Sequence, residues 1–298
     1  MGGAVIYFRH APSIHRRSLS ARPDTLLAGV CRIGRFRAVV HRRADSHQRT
    51  VKISATIITL NEERNIARVI ESLRCVDEIL VVDSGSTDRT VEIAGKLGAR
   101  VLDSPWPGYA NQKNLAAEQT KYDWILSIDA DESLSEALEA EIWQLKKAGP
   151  KYDAYTMPRL AQYLGRWIRH GGWYPDRKIR LYDRRKAKWE GAYVHESLKV
   201  NGKVGHFESN LLHFTCDSLS EHLRMMDRYT TLAAEQLLSV GERVTWPRLI
   251  FHPPWTFVQT YFLKLGFLDG LEGLAIAYMA AFYNFLKFAK AKFMSFGR

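Results

Sequence analysis

Three acidic side chains follow an apolar run in the stretch WILSIDADESL, residues 124–134. Asp129 and Asp131 are two residues apart, and at the end of a strand that spacing can turn both carboxylates to the same side. Carboxylate oxygens suit Mg²⁺ or Mn²⁺, which keep open positions for the phosphate oxygens of a substrate. The pair could therefore form a divalent-cation site. The simpler alternative is that these acids only complement the positive end of the following helix.

The elements that would position these acids alternate between strand and helix from Val51 onwards. The first strand, VKISATIITL, is β-branched and uninterrupted, which is typical of a strand buried on both faces. The apolar segments DEILVVD, ARVLD and WILSID follow, with helical patterns between them. We therefore expect a mostly parallel α/β sheet with right-handed crossovers, which binds ligands beyond the carboxyl ends of its strands.

Capping residues predict where two of the helices begin and end. Ser86 and Thr87 are candidate caps for the second helix. Ser133 and Glu136 have the spacing of a capping box, and the helix they open should stop at Gly149.

Polar residues stand at the carboxyl end of each of these strands, so they should converge on one edge of the sheet. The first strand–helix turn, TLNEER, is not G-x-G-x-x-G, and the chain has no G-x-x-x-x-G-K-[ST]. A Rossmann dehydrogenase and a P-loop NTPase are therefore disfavoured. The polar residues concerned are Thr59, Asn61, Glu62, Asp83, Ser84, Asp103, Ser104, Asp129 and Asp131.

The positive charge of the chain is concentrated at its amino end. The 298 residues carry a net charge of +11, of which residues 1–52 contribute +9, leaving +2 for the rest. We interpret residues 1–50 as a disordered basic tail without a secretory signal, and with no nucleic-acid-binding fold beside it we expect no nucleic-acid partner. The three cysteines form no C-x-x-C, which fits a reducing cytoplasm.

Four sequence blocks in order resemble the family 2 glycosyltransferases: TIITLNEERNI, EILVVDSGSTDRT, GYANQKNLA and WILSIDADE. The resemblance covers about residues 51–215 and implies the GT-A fold, a Rossmann-like, mostly parallel sheet flanked by helices. The continuation GGWYPDRKIRLYDRRKAKWEGAYVHESL is similar to bacterial lipopolysaccharide core-biosynthesis glucosyltransferases. We expect a GT-A domain over residues 51–245 and a helical, aromatic-rich extension over residues 246–298.

The resemblance implies a nucleotide-sugar donor of the UDP-hexose type. Asp83 would accept a hydrogen bond from the uracil ring N–H, and Lys113 and Asn114 would lie near the diphosphate. Asp129 would contact the donor as the first acid of the D-x-D motif. The rest of the nucleotide pocket would be lined by Thr59, Asn61, Glu62 and Ser84.

A divalent cation, Mg²⁺ or Mn²⁺, is implied as the cofactor, with Asp131 as the more direct ligand. His213 is a candidate further ligand, although a histidine beside apolar residues is more often a hydrogen-bonded core residue. Arg180 could bind phosphate or acceptor, or could form a surface ion-pair cluster with Asp176 and Arg177.

Enzymes of this type invert the anomeric centre in one displacement, and the attacking hydroxyl needs a general base. Glu196 stands where the base carboxylate of the family usually falls, although many members have Glu-Asp where this chain has His195-Glu196. The predicted acceptor is a hydroxyl of a glycan or lipid-linked lipopolysaccharide core. The alternatives are a polyprenyl-phosphate sugar transferase, whose anionic acceptor would need no base, and a non-catalytic nucleotide-sugar or glycan-binding module.

The carboxyl-terminal region is strongly apolar and aromatic. Residues 255–268 place Thr256, Thr260 and Lys264 on one stripe, and residues 273–286 are uncharged. Fourteen residues are fewer than the roughly 20 that a spanning helix needs. The flanking lysines are Lys287, Lys290 and Lys292. Two hypotheses remain open: helices lying on the anionic inner face of the cytoplasmic membrane, or a buried helix pair packed on the catalytic domain.

Overall fold

The computed structural model describes residues 50–191 and 196–296. The predicted disordered tail, apart from Thr50, lies outside these residues. The first half of the described chain alternates strands and helices as predicted. Its elements are β1 (Ile53–Thr59), α1 (Ile66–Glu71), β2 (Glu78–Asp83), α2 (Thr90–Lys96), β3 (Arg100–Asp103), α3 (Tyr109–Glu118), β4 (Trp124–Asp129), β5 (Glu132–Leu134) and α4 (Glu136–Ala148).

The second half begins with strands and ends with helices. The strands are β6 (Ala154–Tyr163), β7 (Arg166–Trp167), β8 (Asp176–Asp183), β9 (Ala187–Glu190), β10 (Ser197–Val200), β11 (Val204–His206) and β12 (Leu211–Cys216). The helices are α5 (Leu219–Ser239), α6 (Trp246–Val258) and α7 (Gly270–Phe296), with a π-helical turn at Gln259–Leu263 and a 3₁₀ turn at Gly266–Asp269 between α6 and α7.

Ten of these strands form one sheet, with the main order β3-β2-β1-β4-β8-β6-β12-β5 and with β7 and β11 each paired to β6. Strands β9 and β10 form a separate antiparallel pair. The half from β3 to β4 is parallel, as the sequence predicts. The second half joins it through β8, which is antiparallel to both β4 and β6. Strand β12 then runs parallel to β6 and pairs antiparallel with the short strand β5. This return brings β12 beside the acids that follow β4.

The core explains why β1 lies in the middle of the parallel half. Ile53, Ala55 and Ile57 are fully buried and pack with the apolar faces of α1 and α4 in one cluster. Because both faces of the strand are covered, its residues form the continuous apolar run seen in the sequence.

Two capping predictions are wrong. Helix α2 begins at Thr90, and Ser86 instead donates a hydrogen bond to Asp83. The cap of α4 is Ser135, whose side chain accepts a hydrogen bond from the backbone N–H of Leu138, whereas Ser133 belongs to β5. The sequence pattern missed β5 because three residues are too few to show a strand period. The predicted end of α4 at Gly149 is confirmed.

Helices α6 and α7 fold back on each other, and α7 also packs on α5. Gly273 allows the close approach at the turn, since an added Cβ would lie 1.9 Å from the carbonyl oxygen of Gly266. Among the described residues, no single helix is long and apolar enough to cross a bilayer, whereas the bent pair Trp246–Leu263 and Gly266–Ser295 meets that criterion by length and composition.

Candidate active site

The carboxyl ends of β2, β1 and β4 lie side by side. Thr59 is the register partner of Asp83, and Ile58 is the partner of Asp129. The polar residues that follow these strands therefore share one edge of the sheet, as expected from the sequence.

Asp83 organises the loop after β2. One carboxylate oxygen accepts hydrogen bonds from the hydroxyls of Thr59 at 2.9 Å and Ser86 at 2.5 Å. The other accepts from the backbone N–H groups of Gly85 at 3.0 Å and Ser86 at 2.7 Å. A carboxylate offers about four lone-pair sites, so a uracil N–H could bind Asp83 only by replacing one of these donors.

Asn61 and Glu62 tie the loop after β1 to the loop after β2. The side-chain oxygen of Asn61 accepts from the backbone N–H of Thr87 at 2.8 Å, and the backbone N–H of Glu62 donates to the hydroxyl of Thr90 at 2.8 Å. The hydroxyl of Ser84 accepts from the Gln112 side chain at 3.2 Å. These contacts fix the shape of this edge of the sheet.

Helix α3 contributes one side chain that faces the acids and one that does not. Lys113 is only 2% exposed, and its ammonium group lies 2.9 Å from Asp129 and 3.4 Å from Glu196. The Asn114 amide donates to the backbone oxygen of Trp189 and accepts from its backbone N–H. Asn114 therefore fastens β9 to α3, while Lys113 is the residue of this motif that can meet a diphosphate.

The turn after β4 is built around Glu132, a buried carboxylate that the sequence analysis did not single out. Glu132 is completely inaccessible to solvent, accepts from the backbone N–H of Asp129 at 3.2 Å, and pairs with Arg180 at 2.6 Å and Arg159 at 3.3 Å. Arg159 also pairs with Asp176 at 2.6 Å. Arg180 is thus part of a buried network, not of a surface cluster.

Asp129 stands between two cations, Arg180 at 2.5 Å and Lys113 at 2.9 Å. Burial would raise the pKa of Asp129, but the charges of Arg180 and then Lys113 outweigh it and hold this pKa well below its usual range. Burial likewise opposes the charge of Arg180, yet Asp129 and Glu132 raise its pKa further. Asp129 is therefore ionised and already paired, which leaves Asp131 as the acid of the motif without a cationic lysine or arginine partner in the described chain.

Asp131 and His213 form a second buried pair. Because β12 pairs with β5, His213 lies opposite Glu132, and its Nε2 is 3.2 Å from an Asp131 carboxylate oxygen. Two ligands of one six-coordinate ion with bonds of about 2.1 Å stand roughly 3 Å apart, so this oxygen and nitrogen fit a shared cation. Across residues 50–191 and 196–296 no group of three His, Cys, Asp or Glu is placed to hold a metal, so a bound ion would need ligands from its substrate or water.

The two carboxylate oxygens of Glu196 have different surroundings. Its side chain is 16% exposed, and one oxygen faces Lys113. The other is buried and has no hydrogen-bond partner within the described part of the chain. An unpaired buried carboxylate oxygen is costly unless a ligand uses it, and here it could accept a proton.

Two tyrosines lie near these acids and were not singled out in the sequence. Tyr109 begins α3, and Tyr229 of α5 lies close to it. Burial raises the pKa of the Tyr109 hydroxyl, and the nearby Tyr229 and the charges of Glu196 and Asp129 act on it as well. Sequence offered no signal for Tyr229, because α5 reads only as an amphipathic helix. The aromatic ring of Trp173 does not join these tyrosines. It packs on Tyr163, with ring centroids 5.6 Å apart, in a separate apolar cluster.

Comparison with known proteins decides the family. A sequence profile for glycosyl transferase family 2 matches residues 54–200. The lipopolysaccharide core biosynthesis glycosyltransferase LpsC of Rhizobium meliloti is 36% identical over 245 residues, which cover 80% of this chain and 91% of LpsC. The chain belongs to glycosyl transferase family 2. A further relative, an uncharacterised glycosyltransferase of Rickettsia typhi, is 34% identical over 82% of this chain and 88% of its own.

The fold agrees with that membership. The GT-A fold implied by the four motifs is confirmed, with a parallel half-sheet, an antiparallel continuation and a carboxyl-terminal helical region. The solved structure of S. aureus TarS in complex with UDP is similar with a TM-score of 0.42 and 15% identity, over 83% of this chain and 92% of that one. Within this family 2 glycosyltransferase, Lys113 lies 2.9 Å from Asp129 and 3.4 Å from Glu196, so these three side chains meet at one place.

Proposed function

We propose that this glycosyltransferase moves a hexose from a UDP-hexose to a hydroxyl of a lipopolysaccharide core acceptor, with inversion at the anomeric carbon and with a divalent cation. The observation that carries the proposal is the free, buried oxygen of Glu196, whose other oxygen lies 3.4 Å from Lys113. Similarity to LpsC supports the acceptor class.

Each residue has a distinct task in this reaction. The acceptor O–H gives its proton to the free oxygen of Glu196 while the acceptor oxygen bonds to the anomeric carbon. The bond from that carbon to the diphosphate breaks with its electrons remaining on the diphosphate, where Lys113 lies ready to balance the charge. Asp131 and His213 would hold Mg²⁺ or Mn²⁺, which supplies charge stabilisation for the leaving group. Arg180 keeps Asp129 ionised and in place.

A donor screen tests the proposal directly. Thermal shifts with UDP-glucose, UDP-galactose, UDP-N-acetylglucosamine and GDP-mannose, each with Mn²⁺ and with chelator, should show stabilisation by a UDP-hexose only when the metal is present, because a ligand of the native state raises its stability. Proton NMR of the transferred sugar on a truncated core oligosaccharide should then show the anomeric configuration opposite to that of the donor. Retention of configuration, or a preference for GDP-mannose, would contradict the proposal.

A phosphate acceptor fits the site less well. A polyprenyl phosphate is already anionic, so it needs no base, and the carboxylate of Glu196 would not favour its approach. Transfer to polyprenyl phosphate but not to the oligosaccharide would reverse this preference.

A further inference from the structure

The carboxyl-terminal helices bury polar side chains and expose apolar ones, which is the reverse of an ordinary surface helix pair. In α6, the polar residue Thr256 is buried, and its hydroxyl accepts a hydrogen bond at 3.1 Å from the buried Asn284 of α7. On the opposite side of α6, Phe251 and Trp255 are 69% and 55% exposed. A helix in contact with water directs its polar residues outward, so this face is not shaped for water.

The same inversion continues through the turn and along α7. Asp269 is buried and accepts from the backbone N–H groups of Arg169 and His170, at 3.2 and 2.7 Å. Among the exposed residues between positions 249 and 286 there is no Asp, Glu, Lys or Arg. The exposed large apolar residues of this surface are Trp246, Ile250, Phe251, Trp255, Val258, Phe262, Leu263, Leu265, Phe267, Leu268, Leu271, Tyr278, Phe282 and Phe285; we call them the apolar face.

The apolar residues of the two helices are continuous. Exposed side chains of α7 recur at positions 271, 278, 282 and 285, which is one side of a helix. The ring of Tyr278 lies 4.7 Å from that of Phe257, which in turn contacts the ring of Phe262. A contiguous exposed surface of this kind marks an interaction site.

Most of the basic residues of this helix pair lie at one end of it. Residues 243–296 contain six basic and two acidic residues. Both acids, Asp269 and Glu272, lie at the turn and face His170 and Arg166. Five of the basic residues flank the opposite end, where the start of α6 meets the end of α7: Arg243, Arg248, Lys287, Lys290 and Lys292.

We propose that the apolar face docks this enzyme on a phospholipid bilayer, with α6 and α7 lying in the interface. Aromatic and aliphatic side chains enter the boundary between headgroups and acyl chains, and the basic end meets anionic headgroups. The inward-facing hydrogen bonds among polar side chains are what a lipid environment requires, because lipid offers no partner for them. An acidic protein partner would match the charge but not an apolar face with no charged residue.

Lys290 and Lys292 should contribute less to bilayer binding than their position beside the apolar segment indicates. Lys290 donates to the backbone and side-chain oxygens of Asp227, both at 2.7 Å, and so fastens α7 to α5. Lys292 donates to the backbone oxygen of Val244 at 3.2 Å. Binding should therefore depend mainly on apolar burial, and high salt should weaken it without abolishing it.

Vesicle flotation tests the proposal. Full-length protein is mixed with vesicles of phosphatidylethanolamine and phosphatidylglycerol and should float with them. Phe251→Ser combined with Trp255→Ser should lower the partition coefficient at least about tenfold, because two large apolar side chains are removed from the buried surface. The matched control combines Trp143→Ser with Tyr152→Ser, two exposed aromatics outside the apolar face, and should leave flotation unchanged.

Other outcomes would overturn the proposal. If 0.5 M NaCl releases the protein completely, or if both double variants float like the wild type, the apolar face is not the docking surface. If mass photometry without lipid shows a wild-type dimer that the Phe251→Ser/Trp255→Ser variant loses, the face binds a second copy instead. Circular dichroism and thermal melting of each variant establish that it is folded, and none of these readouts depends on the donor or acceptor.

Discussion

Replacing Glu196 by glutamine is the most direct test of the chemistry. The amide has nearly the same size and can still accept a hydrogen bond from Lys113, but it cannot take a proton at neutral pH. A positioned general base contributes about 10²–10⁴ in rate. At about 1.36 kcal/mol for each factor of ten, the activation free energy should rise by about 2.7–5.4 kcal/mol, and kcat should fall accordingly.

Donor binding should survive this substitution. Lys113 keeps its nearer partner, Asp129 at 2.9 Å, and its position over the Trp189 ring, 4.5 Å from the ammonium group to the ring centroid. The pair with Glu196 is longer, at 3.4 Å, and Coulomb energy falls with distance. We therefore expect KM for the donor to stay nearly constant, which marks the loss of an interaction made in the transition state.

The assay measures UDP release and transferred sugar at saturating donor and acceptor, and calorimetry measures UDP affinity. Glu190→Gln is the matched control, since Glu190 makes a surface ion pair with Lys199 and lies outside the site; its kcat should equal that of the wild type. A near-normal kcat for Glu196→Gln would refute the assignment of the base and would favour a phosphate acceptor.

Three further predictions concern the metal, the tail and acid stability. Asp131→Ala should abolish the Mn²⁺-dependent part of UDP affinity measured by calorimetry, and unchanged affinity in excess chelator would refute a metal role. Deleting residues 1–45 should leave the melting temperature and turnover unchanged, because the family motifs begin after residue 50; a large drop in either would show that the tail is structural. Burial lowers the pKa of His222 below its ordinary 6.5, so the unfolded state binds the extra proton first and stability falls as pH drops below about 6.5. His222→Gln should reduce that loss in melts between pH 7.5 and 5.5, whereas an unchanged slope would assign it to other groups.

The parallel half of the fold could be predicted because its signals are local. Each strand from β1 to β4 is an apolar run, and each ends in polar residues, so their common edge follows from the topology alone. The antiparallel half gave no comparable signal. Strand β5 is three residues long, and β6 to β12 depend on pairing between segments far apart in the chain.

The motifs supplied the candidate site residues, but they did not show which side chains surround them. Lys113 lies within 3.4 Å of Asp129 and of Glu196, and Asp131 follows Asp129 by two residues. The roles that the resemblance implies for these residues remain predictions. The partner that holds the motif turn, Glu132, belongs to the same motif, but its role depends on Arg180, 48 positions further on. A buried carboxylate of this kind is tolerable only with paired cations, and no local pattern shows where those cations come from.

The carboxyl-terminal helices show the limit of periodicity most clearly. The stripe of Thr256, Thr260 and Lys264 is visible in the sequence, and an amphipathic helix in water would turn that stripe outward. The fold does the reverse, because Thr256 meets Asn284 inside the helix pair and leaves Phe251 and Trp255 exposed. The sequence shows that a helix has a polar side and an apolar side. Which of the two sides faces the core is decided only by the packing. Because α7 buries the polar side of α6, the apolar side is left to contact something outside the protein, and the proposed bilayer surface supplies that contact.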